Sequence, residues 1–477
     1  MKRYTVTFMP RQQAVSVPEG TTLLQAQILS GLRPDAPCGG KGLCGKCRVL
    51  VNGAEVPACQ TIVDRDVTVT LTETSSAKIL ARSIPAETKA DGTDLYALAF
   101  DIGTTTVVAY LLDGKTGVQL AQSSAMNPQQ QYGADVISRI QEVLDHGGSA
   151  MSGCIRDTMV TLCREACRQA GITPEKITAA AIAGNTAMHH LLLNIDPKPL
   201  VTPPYMPAVS KAMELPGDVR VLPNIAGFVG GDTVGCMVCT RFDEREALTL
   251  LIDIGTNGEM VLGNRDRRIA CSTAAGPAFE GARISCGMRG AEGAVDHVWL
   301  ENGEICFHVI GDARPLGLCG SGVLDLTAVL LELGTIQESG RMPCEAFTLC
   351  EKVVLTQKDV REVQLAKAAI RAGIELLAET MEVRVRDIQK VLLAGAFGSY
   401  MDPRSACRIG MIPPVLAGRI EAIGNAAGEG AKLCALSRAE FAYSQRLSDT
   451  TEFLELASLP QFQDRYVDAL EFEEEPE

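Results

Sequence analysis

Residues 4–8, 14–17 and 67–71 alternate apolar and polar side chains with the period of two that suits half-buried strands, and residues 47–51 form a further strand-like run. Residues 23–31 change to helical spacing, and Thr21 just before them has the chemistry of a helix cap. Asn52-Gly53, directly after residues 47–51, predicts a tight hairpin. These elements predict a small α+β domain of the β-grasp type over residues 1–75. Residues 76–94 lose all periodicity and mix Ser, Pro, Gly and Lys, which predicts a linker.

From residue 95 the pattern changes to longer apolar runs. Leu95-Tyr-Ala-Leu-Ala-Phe-Asp101-Ile-Gly-Thr-Thr-Thr106-Val-Val-Ala-Tyr110 predicts a strand, a tight turn and a second strand. The pattern recurs in Leu250-Leu-Ile-Asp253-Ile-Gly-Thr-Asn257-Gly-Glu-Met-Val-Leu262. Each copy is followed later by an apolar strand ending in glycine, at residues 179–184 and 391–395. The order is the same in both halves, so the chain contains an internal duplication. The expectation is a two-lobed α/β unit, with lobes at 95–245 and 246–440 and a C-terminal segment at 441–477.

A chain of 477 residues needs two or three domains, in line with this division. The net charge of −14 and the acidic end Glu471-Phe-Glu-Glu-Glu-Pro-Glu477 argue against a nucleic-acid surface or a basic membrane patch. The acidic end itself reads as a solvated terminus. No apolar run is long enough to span a bilayer. The opening residues hold Lys2 and Arg3 but no apolar signal stretch, so the expectation is a reducing cytoplasm. That bears on the 17 cysteines, most of which lie in apolar surroundings and read as small buried hydrophobes. Cys236 and Cys239 are among these, and adjacent His189 and His190 read as structural.

Four other cysteines carry chemistry. In Cys38-Gly-Gly-Lys-Gly-Leu-Cys44-Gly-Lys-Cys47, with Cys59 following, the spacing is C-x5-C-x2-C-x11-C. Four thiolates from one glycine-rich loop and a later segment suit a [2Fe–2S] cluster, because such a loop needs positive φ angles and close backbone approach to sulfur. A zinc site is the rival, but zinc ribbons repeat the C-x2-C knuckle and here only Cys44 and Cys47 form one.

The duplicated turns suit a phosphate chain. Gly103 and Gly255 allow close backbone approach, while Thr104, Thr105, Thr256 and Asn257 offer donors. Asp101 and Asp253, at the strand ends, suit a hydrated Mg²⁺ or an attacking water. Gly184 and Asn185 offer either a further phosphate contact or a plain strand–helix cap.

These tandem Asp-Ile-Gly-Thr turns, with Leu393-Ala-Gly-Ala-Phe-Gly-Ser-Tyr400, resemble the actin-like ATPase superfamily of acetate and sugar kinases and heat-shock chaperones. The resemblance implies two RNase H-like lobes closing on ATP, with Gly395 and Gly398 receiving the adenosine. It also implies inter-lobe connections at residues 127–135 and 424–431. With the cluster domain in front, residues 1 to about 440 resemble the reductive activators of corrinoid-dependent methyltransferases. Ala274-Ala-Gly-Pro-Ala-Phe-Glu280 and Gly317-Leu-Cys-Gly-Ser-Gly322 add to that likeness. The family implies ATP-dependent reduction of Co(II) corrinoid to Co(I), a corrinoid protein as partner, a low-potential electron donor and a homodimer. Longer members carry a domain between the two parts, where this chain has only its short linker. Three alternatives are an activator of a dehydratase or reductase, a small-molecule kinase with a redox sensor, and a non-enzymatic redox-responsive scaffold. The dehydratase type holds a [4Fe–4S] cluster between subunits, against which the N-terminal cysteine set argues.

Overall fold

The computed structural model describes residues 2–10, 12–32, 34, 40, 42, 47–51, 53–71, 95–255, 257–281 and 283–472. Cys38, Cys44, Thr256, the linker at 76–94 and the acidic end beyond Phe472 therefore lie outside the described residues.

The N-terminal sheet has five strands in the spatial order Gln13–Pro18, Arg3–Met9, Val67–Leu71, Arg48–Val51, Ala54–Pro57. Arg3–Met9 runs antiparallel to Gln13–Pro18 and parallel to Val67–Leu71. Helix Leu23–Leu29 covers one face, where Leu23 and Leu24 join Val6, Phe8, Val49 and Val69 in one core. The cap is Thr22, one residue later than expected. Gln25 lies three positions after Thr22 and completes a capping box, with both bonds at 3.1 Å. Thr21 instead donates its hydroxyl to the Pro18 carbonyl at 2.8 Å. Val51 pairs with Ala54, so the predicted hairpin is a two-residue loop, and Gly53 supplies its positive φ of 79°.

The remainder is built on two six-stranded sheets. In the first, Tyr96–Ile102 lies between antiparallel Thr106–Asp113 and parallel Ile177–Gly184. In the second, Thr249–Ile254 lies between antiparallel Gly258–Gly263 and parallel Lys390–Ala394. The duplicated segments thus hold matching places in two similar sheets. Long helices cover the outer faces, Ser149–Ala170 on the first and Gln357–Thr380 on the second.

Two helices lie between the sheets, Gly231–Cys239 and Ala426–Leu436. Their apolar residues join Ala97, Ala99 and Val108 of the first sheet to Leu251, Val261 and Leu392 of the second in one shared core. They cross where glycines meet: a Cβ on Gly430 would lie 2.1 Å from the Gly235 carbonyl oxygen. The chain passes from the first sheet to the second through Gly231–Cys239, not through residues 127–135. That earlier segment forms a short 3-10 turn, Pro128–Gln131, packed on the first hairpin. The second connection lies where the glycine-rich run at 424–431 suggests.

The segment after residue 440 packs onto both lobes. Phe441, Tyr443 and Leu447 enter the shared core, and Glu452–Phe453 extends the second sheet beside Arg268–Thr273. Gln364 then donates to the Leu470 carbonyl at 2.8 Å, and Phe472 is buried. Among the described residues, no helix is long and apolar enough to cross a membrane.

Candidate functional site

The two repeated hairpins are both closed by the N–H of their glycine, which reaches three residues on in the first and two residues on in the second. Gly103 donates its N–H to the Thr106 carbonyl and Gly255 to that of Asn257, both at 2.9 Å. Asp101 and Asp253 sit one residue before the end of equivalent strands. Gly395 approaches Asp253 from the neighbouring strand. Its φ is 87°, and a Cβ there would lie 2.7 Å from Asp253 Oδ1, so only glycine fits on both counts. Gly184 backs the first turn in a similar way, with Ile102 O 2.8 Å from its Cβ position. Gly398 is placed differently: it faces Leu393 and lets the helix Gly395–Tyr400 pack closely on its own strand.

An anion-binding turn must point its carbonyls away from the ligand. In the first turn, side chains hold all three. Asn127 Nδ2 donates to Gly103 O at 2.8 Å, Arg139 Nη2 to Thr104 O at 2.6 Å, and Gln130 Nε2 to Thr105 O at 2.9 Å. Arg139 is fully buried, and burial lowers its pKa to about 10. Asn185 is the strand–helix cap that its position suggested, and it also touches the first turn. It caps helix Thr186–Leu193 by accepting from Met188 N, and it donates to Thr104 Oγ1 at 3.0 Å. Thr105 Oγ1 donates across the cleft to Glu280 Oε2 at 3.0 Å, which joins the lobes at the hairpin tip.

Behind the tips lies a group of acids larger than the expected pair. Asp232, at the start of the first crossing helix, and Glu259, on the second hairpin, join Asp101 and Asp253. Burial, then Asp232 and Asp101, raises the Asp253 pKa to about 7. Burial raises Asp232 to about 6 despite hydrogen bonds that oppose it, and Glu259 is driven well above its usual range by burial, Asp232 and Asp253. Asp101 is raised by burial, with the Asn425 amide opposing. No cationic side chain is among the groups acting on these four. Nor do three ligating side chains among the described residues form a ready-made metal cage. Buried acids that feel one another's charge suit a Mg²⁺ that keeps its waters and shares its charge with phosphates, so the residues fit Mg²⁺-ATP.

This arrangement gives a pH dependence of definite sign. Folded carboxyl pKa values lie above the ordinary 3.8, so ionisation penalises the empty protein increasingly as pH climbs from there to about 7. Mg²⁺-nucleotide binding releases those protons. Affinity therefore rises between about pH 5.5 and about pH 7.5, by about tenfold per pH unit for each proton released. Calorimetry at several pH values checks this, and a flat affinity contradicts it.

In the N-terminal domain Cys47 and Cys59 are both buried, and Ala58 N donates to Cys47 O at 2.7 Å. None of the described cysteines is in a disulfide. Gly40 and Gly42 have φ of 83° and 75°. A Cβ on Gly40 would lie 3.0 Å from a Leu24 methyl and 3.8 Å from the Cys59 Cβ, which sets Gly40 against the buried Cys59. Two buried thiols and two positive-φ glycines in this stretch suit a [2Fe–2S] cluster.

Comparison with known proteins agrees with this geometry. Residues 6–70 match the model of the 2Fe-2S iron-sulfur cluster binding domain, residues 96–245 the RACo middle region, and residues 247–477 the C-terminal domain of RACo, the ASKHA domain. The corrinoid activation enzyme RamQ of Eubacterium limosum is 37% identical over 418 residues, covering 78% of this chain and 70% of its own. A [Co(II) methylated amine-specific corrinoid protein] reductase of Methanosarcina barkeri is 27% identical, covering 75% of this chain and 72% of its own. The solved structure of a reductive activator for corrinoid, iron-sulfur protein matches with a TM-score of 0.73 and 28% identity, covering 98% of both chains. The protein therefore belongs to the RACo family of corrinoid reductive activators, with a [2Fe–2S] domain joined to an actin-like ASKHA ATPase.

Proposed function

We propose that this protein passes one electron from its [2Fe–2S] domain to Co(II) of a corrinoid protein, restoring Co(I) for methyl transfer, and that ATP drives the cycle. The observation that carries this reading is the union in one chain of a 2Fe-2S cluster binding domain with buried Cys47 and Cys59 and a two-hairpin cleft spanned by crossing helices. Cys38, Cys44, Cys47 and Cys59 would hold the cluster, which supplies one-electron transfer. Gly103, Thr104, Thr105, Gly255, Thr256 and Asn257 would cradle the phosphates. Asp101 and Asp253 orient Mg²⁺ or its water, and Gly395 leaves room for the nucleotide beside Asp253.

The energetic difficulty is the low potential of Co(II)/Co(I). About 59 mV corresponds to a factor of ten in a one-electron equilibrium. Binding the Co(I)-like state about a hundredfold more tightly would raise the apparent potential by about 120 mV. An activator that binds so selectively must then be released, and lobe closure around nucleotide supplies a two-state element for that step. The family likeness also supports a cytoplasmic homodimer fed by a separate low-potential donor.

The test is anaerobic. Reduced protein is mixed with a Co(II) corrinoid protein, and the Co(I) absorption band is followed with and without Mg²⁺-ATP. The expected result is Co(I) only with ATP, lost in C44S and D253A variants. No Co(I) with several corrinoid partners, despite an intact cluster, would overturn the reading and point to a different acceptor.

A further inference from the structure

We propose that Asn425 is a positioning residue for Asp101, connecting the second crossing helix to the first phosphate hairpin. This inference rests on reading the two-hairpin cleft as the ATP site. Asn425 ends the strand–turn that launches helix Ala426–Leu436, and its amide is fully committed. Nδ2 donates one hydrogen to Asp101 Oδ2 at 2.7 Å and the other to Tyr110 Oη at 2.9 Å. Oδ1 accepts from Gly428 N at 2.9 Å and so caps the helix. The amide can sit only this way round, because a flip would set its oxygen against a carboxylate and its NH₂ against an N–H.

The contact partners are themselves held. Tyr110, on first-lobe strand Thr106–Asp113, is 2% exposed, and Lys432 Nζ lies over its ring at 4.3 Å from the centroid. Lys432 is paired with Glu429 one helical turn away. On the opposite side, Gly428 is so close that a Cβ there would meet Tyr110 Oη at 2.8 Å and Asn425 Nδ2 at 3.1 Å. Three residues of the crossing helix, Gly428, Glu429 and Lys432, therefore fix a first-lobe tyrosine. That tyrosine and Asp101 share one amide. A shift of the helix relative to the first sheet must move the amide, and with it the donor on Asp101. Among the described residues the equivalent acid of the second lobe meets no such amide: Asp253 faces the thiol of Cys236 at 3.9 Å and feels the charge of Asp232. The two repeats are thus unequal, and the positioning acts on the first.

Substitutions can separate the cap from the positioning. Serine at 425 still caps a helix, but its short hydroxyl cannot also reach Asp101, whereas alanine does neither. In N425S, thermal stability is expected to stay near wild type, while ATP turnover falls by about 10–100-fold, the usual cost of losing a partner that orients a metal-binding group. The Mg²⁺ concentration for half-maximal turnover rises, and the KM for ATP changes little. N425A shows the same turnover loss with lower stability. Y110F keeps the Asp101 bond and loses less turnover than N425S. If N425S keeps wild-type turnover and Mg²⁺ requirement, or if activity across the three variants follows stability alone, Asn425 is only a cap and the proposal fails. Wild-type protein that neither binds nor hydrolyses Mg²⁺-ATP would instead refute the ATP-site reading itself.

Discussion

Cys59→Ala is expected to abolish electron delivery to the corrinoid partner and to leave Mg²⁺-ATP binding at its wild-type strength. Cys59 is 9% exposed, and a Cβ built on Gly40 would lie 3.8 Å from its Cβ. A [2Fe–2S] cluster requires four ligands, and alanine supplies none in place of the thiolate. The visible absorption of the cluster should therefore be lost, and Co(I) formation should fall below detection. The nucleotide cleft is built entirely from residues after 95, on sheets that share no strand with the N-terminal domain. Calorimetric titration with Mg²⁺-ATP should thus give the wild-type Kd. A variant that still forms Co(I) at a comparable rate would remove Cys59 from the electron path. A variant that also loses nucleotide binding would mean that the two parts are energetically coupled in a way their separate sheets do not suggest.

The repeats were legible in the sequence because their signals are local. A strand, an Asp-Ile-Gly-Thr turn and a returning strand occupy consecutive residues, and hydrophobic periodicity reports such elements directly. The same holds for the cysteine loop and for the glycine-ended strands. What the local pattern does not carry is the set of partners that assemble the site. Asn425 reaches Asp101 across 324 positions of sequence, and Glu280 reaches Thr105 across 175. Each of those residues looks ordinary in its own neighbourhood: Asn425 as a helix cap, Glu280 as a loop acid. Asp232 could have been found. Gly230-Gly231-Asp232 opens an apolar helix containing Gly235, much as Gly424-Asn425 opens one containing Gly430. Comparing these two segments, rather than the polar run at 127–135, identifies the first inter-lobe helix. The run at 127–135 lies where the superfamily resemblance implies the first connection, but its side chains hold the first turn's carbonyls.

Gly430→Val should be strongly damaging to the ATPase part. A Cβ at this position would lie 2.1 Å from the Gly235 carbonyl oxygen and 2.5 Å from the Gly235 C and Cα atoms. All three are backbone atoms of the partner helix, so no side-chain rotation relieves the overlap. The crossing helices must separate, and separation opens the core they share with both sheets, including Met237, Leu251, Ala431 and Leu433. Overpacking of this kind costs about 3 kcal/mol or more. For a unit of this size that lowers Tm by roughly 4 °C or more. Turnover should fall further than stability alone requires, because the displaced helix begins at the amide that holds Asp101. Gly418→Ala is the matched control: nothing lies within 4 Å of its Cβ position, so its Tm should match wild type. Equal Tm values for the two variants would show that the helices can part without cost. The close glycine crossing would then not be what keeps the two lobes in register.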